Sequence, residues 1–394
     1  MKKGFLIVLS VLMLASFASA NRTRIATMGW NDVLLWDEEN IFWCPALAAG
    51  YPNEIIGELG TYPPATMHSD AVLGAFLTND EMASMGVFGV VVNRQTAAVP
   101  YTVFLDPIPS FDLIYAKSLG GFGFGGMLTF ARNSWSNEPA DTTSIDQSTM
   151  VVGFTPGLTF AIGEKGSMDL GFGFQMTSFS NDDKQSGAKY ESDGAMSFGM
   201  ELRAMLPMGQ YVFLIPYFGF DMGNLNWKYT SSAPAPDTTW SVTEDKQTSF
   251  GGGIGLNIMP FEETTVLAGF GFGLTSEENT DQTIWIEDSL NKTSDMVPGF
   301  VFAAESRFNS WMTGRIGAWK TFFASHTDEN YHGDKASNAT DSFQMAIGIG
   351  MNFGDFTLDA MLHDNFLFDG PNFIGGAVQP PNWMLSAEYN FSGM

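Results

Sequence analysis

The chain has 394 residues and a formal net charge of −25, with 43 glycines, 35 phenylalanines, 15% charged residues and one cysteine. That charge excludes a nucleic-acid partner, which would be repelled, and docking onto an anionic membrane through basic patches. A lone cysteine excludes an intrachain disulfide and a cysteine-rich metal site. Glycine is normally scarce in strands, so its abundance points to close backbone approach in a closed barrel lined by small residues.

The first residues read as an export signal. Lys2 and Lys3 form a positive start, residues 5–14 are apolar, and Ala18-Ser19-Ala20 is a small-x-small cleavage site before Asn21. Residues 1–20 are therefore expected to be removed, with no cysteine there to carry lipid. No later apolar run is long enough for a membrane helix, which needs about 18 residues. An exported, alternating chain without such a helix is what an outer-membrane β-barrel looks like in sequence.

Residues 21–53 lack alternation. Apolar clusters around Trp30, Trp36, Phe42 and Trp43 are separated by Asn31-Asp32 and by Asp37-Glu38-Glu39-Asn40. We expect a compact, plug-like segment held against or inside a barrel formed by residues 54–394, the alternative being a periplasmic tether. Trp30, Trp36, Phe42 and Trp43 are its candidate ligand-binding residues. Cys44, between Trp43 and Pro45, reads as a buried small apolar residue.

Ala26-Thr27-Met28-Gly29, the acidic pair Asp37-Glu38, Phe42-Trp43-Cys44-Pro45-Ala46 and Pro52-Asn53-Glu54-Ile55 follow in order. This run resembles the N-terminal signature of the fatty-acid-transporter-like outer-membrane proteins, a superfamily with aromatic-hydrocarbon transporters and PorV-like secretion barrels. Cys44 stands where that signature usually has Asn, and Leu47 where it has Gly. The resemblance implies a barrel of fourteen strands and either transport of hydrophobic molecules or a scaffolding role in secretion.

Beyond residue 53 the period is two. Phe343, Met345, Ile347, Ile349, Met351 and Phe353 alternate with Ser342, Gln344, Ala346, Gly348, Gly350 and Asn352, and the pattern restarts at Phe356 after a turn at Gly354-Asp355. Large apolar residues thus take one face of each strand, and glycines and polar residues the other. The final strand, 382–391, ends on an aromatic residue, the usual signal to the barrel-assembly machinery. Polar segments at 134–147, 181–193, 231–246, 276–295, 325–341 and 370–382 read as long outer loops, and 163–167, 207–210, 260–264 and 309–312 as short turns. The prediction is an all-β, closed antiparallel transmembrane barrel: fourteen strands back to Met85, sixteen if 54–62 and 71–78 are counted.

If bulk faces lipid, the other parity lines the bore. Its charged members are Asp112, Asp169, Glu201, Arg203, Glu305, Arg307, Arg315, Asp359, His363 and Glu388. Spacing of two suggests local Glu201/Arg203 and Glu305/Arg307 pairs. Acidic outer segments such as Glu277, Glu278 and Asp281 read as solvated surface without a calcium-loop spacing. His326 and His332, near Asp328, Glu329 and Asp334, match no metal-site spacing, and no catalytic constellation emerges, so neither cofactor nor enzyme is expected. The expected function is passive transport of small or hydrophobic molecules across the bacterial outer membrane. The alternative is a non-transporting barrel in an envelope or secretion complex. Outer-membrane lipid, the assembly machinery and a hydrophobic ligand are the expected partners.

Overall fold

The computed structural model describes residues 22–391 except 30–31, 61–69, 79–84, 95–104, 106, 138–143, 185, 232–237, 262, 284–285, 330–333 and 364–381. The export signal, Trp30 and the segment 370–381 therefore lie outside the described residues, although Asn382 opens the last strand. The wall begins with β1 (Glu54–Gly60), β2 (Asp70–Leu77), β3 (Val87–Val92), β4 (Ser110–Ser118), β5 (Phe122–Asn137) and β6 (Ile145–Ile162). It continues with β7 (Gly166–Asp183), β8 (Ala188–Ser192), β9 (Ala195–Pro207), β10 (Val212–Asn224), β11 (Trp227–Ser231) and β12 (Thr238–Phe261). It ends with β13 (Thr264–Thr283), β14 (Ile286–Arg307), β15 (Met312–Glu329), β16 (Asp334–Asn352), β17 (Phe356–His363) and β18 (Asn382–Asn390).

All 18 segments belong to one antiparallel sheet. β8 and β9 lie end to end along β7, and β10 and β11 lie end to end along β12. The wall thus has 16 staves, which resolves the fourteen-or-sixteen alternative toward the larger number. β1 pairs with both β2 and β18, from Glu54↔Asn390 to Gly60↔Met384, so the sheet has no free edge. Closure is compulsory in lipid, where each unpaired backbone group costs several kcal/mol. No described helix is long and apolar enough to cross a membrane, and the strands make the crossing.

The faces follow the alternation. Phe130, Val152, Phe154, Phe174, Phe270, Phe272, Phe300 and Ile347 are exposed on the outer surface, while Thr129, Val151, Asp169, Ala303 and Ala346 are buried on the inner. Phe270 and Phe300, on neighbouring staves, pack as a tilted pair with ring centres 5.1 Å apart on that outer band.

Two expectations change. Several segments expected as long loops continue as paired strands: Glu277↔Thr293, Glu278↔Lys292 and Asn279↔Asn291 carry the β13–β14 ladder through 276–295. β12 runs for 24 residues, against the 9–11 or so that span a bilayer. Above the membrane there is water on both faces, so the apolar alternation disappears while Ser- and Thr-rich backbone stays paired.

The early strands also break the simple parity. Inward Ile56, Val72, Phe76, Val87, Val91, Ile114 and Met127 are apolar and buried against Ile41, Cys44, Ala46 and Leu47. Both faces of this arc are dry, one in lipid and one against the N-terminal segment. That is why β1 and β2 show little alternation.

The outward assignment is testable at one stave. Phe270→Arg should cost about 2–4 kcal/mol of folding free energy in bilayers. Gly273→Ser, inward on the same strand with open space where its Cβ would go, should be neutral. Urea titration of both variants in lipid vesicles reads the difference.

Candidate functional site

The N-terminal segment forms the short helix α1 (Arg22–Thr27) and three turns of 3-10 helix, Asp32–Leu34, Glu38–Phe42 and Pro45–Gly50. The acidic pair has a local job. Asp37 caps the Glu38–Phe42 turn by accepting from the Glu39 N–H, and Asn40 Oδ1 accepts from the Asp37 N–H at 3.2 Å, a reciprocal capping box. Pro45 begins the next turn, where its missing N–H costs nothing.

This segment lies against the inner wall on two sides. On one, a Cβ at Gly125 would sit 2.6 Å from the Ala46 nitrogen, and one at Gly157 would sit 2.8 Å from the Pro45 nitrogen. A Cβ at Gly171 would run into the Trp43 carbonyl oxygen. On the other side, Gly317 meets the Thr27 carbonyl, and a Cβ at Gly348 would lie 2.6 Å from Thr27 Oγ1. Inward glycines are thus the seats for this segment's backbone. Ile25, Met28, Leu34 and Leu35 fill the space between, against Met205, Ile215, Leu267 and Val301.

Charged side chains complete the contact. Arg203 is fully buried. Its Nε and Nη2 donate to Asp169 Oδ2 at 3.0 and 2.8 Å, and its Nη1 donates to the Leu35 carbonyl and to Asn40 Oδ1, both at 2.8 Å. Asp169 also accepts from Thr159 Oγ1 at 2.6 Å. The guanidinium carbon lies 5.1 Å from the Trp43 ring centre and 5.9 Å from that of Trp36, within cation–π range. A second network crosses the opposite side. Arg24 grips Glu305 through two bonds of 2.9 Å and Asp37 through one of 2.9 Å, while Arg315 bridges Glu305 and Asp359. In a third, Arg94 donates to Asp112 at 2.8 and 3.2 Å, Thr129 donates to Asp112 at 2.5 Å, and Arg94 stacks 4.7 Å over Phe42.

Asp112, Asp169, Glu201, Arg203, Glu305, Arg315, Asp359 and Glu388 therefore all lie on the inner face. The local pairs expected from spacing of two do not form. Arg203 bonds its register partner Asp169, and Arg315 bonds its register partner Glu305. Residues i and i+2 on one strand are roughly 6.6 Å apart, whereas directly opposed Cβ atoms are about 4.5–5.5 Å apart. Arg307 is exposed at the end of β14, beside the short turn to β15, and not inside the bore. His363 ends β17, and its side chain lies outside the described residues. Trp36 is 47% exposed, whereas Trp43 and Phe42 are half-buried.

Sequence reasoning missed Arg24, Asn40 and Arg94. Nothing in their spacing marks them, because Arg24 and Asn40 find partners on distant staves and Arg94, beyond the end of β3, finds Asp112 on the neighbouring strand.

A cavity of about 470 Å³ opens above this assembly, lined by Phe42, Met127, Thr129, Gln175, Ser197 and Asp221. A second, of about 330 Å³, shares Asp221 and is lined by Asp32, Glu201 and Tyr217. β7 climbs away from the tight turn at 163–165, so Gly173 and Gln175 lie nearer the long-strand rim than Gly171, on which Trp43 rests. The cavities thus face the outer side of the segment, which forms their floor.

Residues 109–286 match the family model of the outer membrane protein beta-barrel domain. Similar solved structures include the toluene transporter TodX of Pseudomonas putida, at 12% identity over 95% of this chain and 100% of that one, with a TM-score of 0.45. The toluene transporter TbuX of Ralstonia pickettii is similar at 10% identity over 96% and 99%, with a TM-score of 0.45. A FadL homologue of Pseudomonas aeruginosa is similar at 12% identity over 95% and 98%, with a TM-score of 0.44. No curated relative matches the sequence.

Two outcomes check the site. Arg203→Met leaves Asp169 buried without its cation, which should cost about 3–5 kcal/mol, and adding Asp169→Asn should recover part of the loss. The temperature at which the folded band disappears in SDS gels reports it. Cys44 reports the seating of the segment, because its thiol is buried, faces the Leu158 and Leu170 carbonyls at 3.5 and 3.6 Å, and is pushed by burial up to about 12 in pKa. At pH 8 it should resist maleimide in the folded wild type and in Gly173→Ala, and react in Gly171→Val.

With its continuous closed wall, apolar outer band and tight turns at one rim, the chain is an outer-membrane β-barrel protein.

Proposed function

We propose that the protein carries small or hydrophobic molecules passively across the outer membrane, with residues 21–53 as a movable plug in a barrel of residues 54–394. The observation that carries this reading is the floor of the larger cavity. Phe42 and Met127 present apolar surface there beside Arg94, whose guanidinium lies over the Phe42 ring, beneath a collar of Thr129, Gln175, Ser197 and Asp221. A polar mouth above an apolar floor suits a poorly soluble molecule that must first leave water and then lose it.

Such a molecule would pass the polar collar, settle on Phe42, and go further only when the plug shifts. Trp43 and Trp36 are the aromatic residues we assign to the path beyond Phe42. The charged wall networks of Asp169 with Arg203, of Glu305 with Arg315 and Asp359, and of Asp112 with Arg94 would hold the plug between passages. The terminal strand, with Tyr389 and Phe391 stacked at 6.3 Å, is the segment we assign to recognition by the barrel-assembly machinery.

The density of these bonds also favours a second reading. Arg203 alone ties two staves to Leu35 and Asn40, and a plug fixed that firmly would suit a non-transporting scaffold of the envelope.

Liposomes separate the two. For a transporter, wild-type protein should speed entry of a fluorescent fatty acid while giving no arabinose-driven swelling. Deletion of residues 21–53 should add swelling and channel conductance. Fatty-acid entry equal to that of empty liposomes would favour the scaffold. Conductance unchanged by the deletion would overturn the plug.

A further inference from the structure

Three glutamates from separate parts of the chain meet where the barrel closes. Glu38 begins the second 3-10 turn, Glu54 is the first residue of β1, and Glu388 lies on β18. One carboxylate oxygen from each lies within 4.8 Å of the other two. The register brings them together. Ile56 faces Glu388 and Glu54 faces Asn390, which makes Glu54 and Glu388 diagonal neighbours across the seam. The Asp37 capping box fixes the turn that delivers Glu38 from the bore side.

This is no solvated acidic patch. Glu54 is 1% exposed and Glu38 7%. One oxygen of Glu54 is buried with no hydrogen-bond partner. The nearby Arg24 guanidinium bonds Asp37 and Glu305. A carboxylate taken out of water needs a cation, a donor or a proton.

We propose that Glu38, Glu54 and Glu388 form a Ca²⁺ site that pins the N-terminal segment to the seam of the barrel. Ca²⁺ takes carboxylate oxygens at about 2.3–2.6 Å, so oxygens sharing one ion lie at most roughly 5 Å apart. The cluster fits that span. Mg²⁺ prefers about 2.0–2.1 Å and keeps most of its waters, which a pocket this dry disfavours. A bound ion would join the first strand, the last strand and the segment in one cross-link. The site stands whether or not anything is transported.

Isothermal titration of EDTA-treated protein in detergent with CaCl₂ tests it. One ion should bind per chain, and Ca²⁺ should raise the temperature at which the folded gel band is lost. Glu54→Gln and Glu388→Gln should each weaken binding by about tenfold or more, since affinity follows ligand charge. A Glu277→Gln/Glu278→Gln variant of the outer strand extension should bind as wild type does. Glu388 is only half-buried, so its Gln variant keeps the test open if Glu54→Gln does not fold. Absence of binding at millimolar Ca²⁺, or unchanged binding in Glu388→Gln, would overturn the site. So would Gln variants more stable than the wild type in saturating Ca²⁺, the mark of carboxylates that share a proton instead.

Discussion

Hydrocarbon cannot hydrogen-bond a peptide group, and every large feature of this protein answers to that fact. A wall in lipid has to satisfy its own backbone, so the sheet must close, and here it does so through the seven-residue register between β1 and β18. Closure then defines an inside and an outside for each strand. The period of two sends phenylalanine, isoleucine and leucine to the lipid and leaves glycine, threonine and charge for the bore.

A closed ring of this size cannot fill itself with its own side chains. The chain's solution is to place the segment that runs from Arg22 to Gly50 within that ring, close enough that backbone touches backbone. Gly125, Gly157 and Gly171 leave room for Trp43, Pro45 and Ala46, and Gly317 and Gly348 leave room for Thr27. Elsewhere the same parity stays open, as at Gly173 and Gly273. The inward glycines of the wall therefore serve two ends: some seat the segment and others border the outer cavities.

The charges obey the geometry of the wall more than the order of the sequence. Ion pairs between staves run straight across the ladder, as in Asp169–Arg203 and Glu305–Arg315. From these anchors Arg203 extends to the segment's Leu35 carbonyl and Asn40 amide, and the segment's own Arg24 reaches back to Glu305. Breaking one would strand a partner in a dry place, which makes the networks specific as well as strong. The same logic makes the three glutamates at the seam conspicuous, because one buried oxygen of Glu54 has no hydrogen-bond partner.

Much of this was legible in the one-dimensional pattern. The alternation in residues 342–362, the tight turn at Gly354 and the polar charges of one parity determined an outer-membrane wall and identified the faces of Asp112, Asp169, Arg203 and Asp359. Those properties are local, since a side chain's face depends only on its parity. The tertiary structure alone decided which charges meet, that 276–295 continues as ladder, and that Arg307 sits at the end of its strand beside a turn. It also decided that the inner faces of β1 to β5 are dry against Cys44 and Ala46. Pairing across the bore joins residues such as Arg24 and Glu305, 281 positions apart. No local period carries that separation; only the closure of the ring brings such residues within bonding distance.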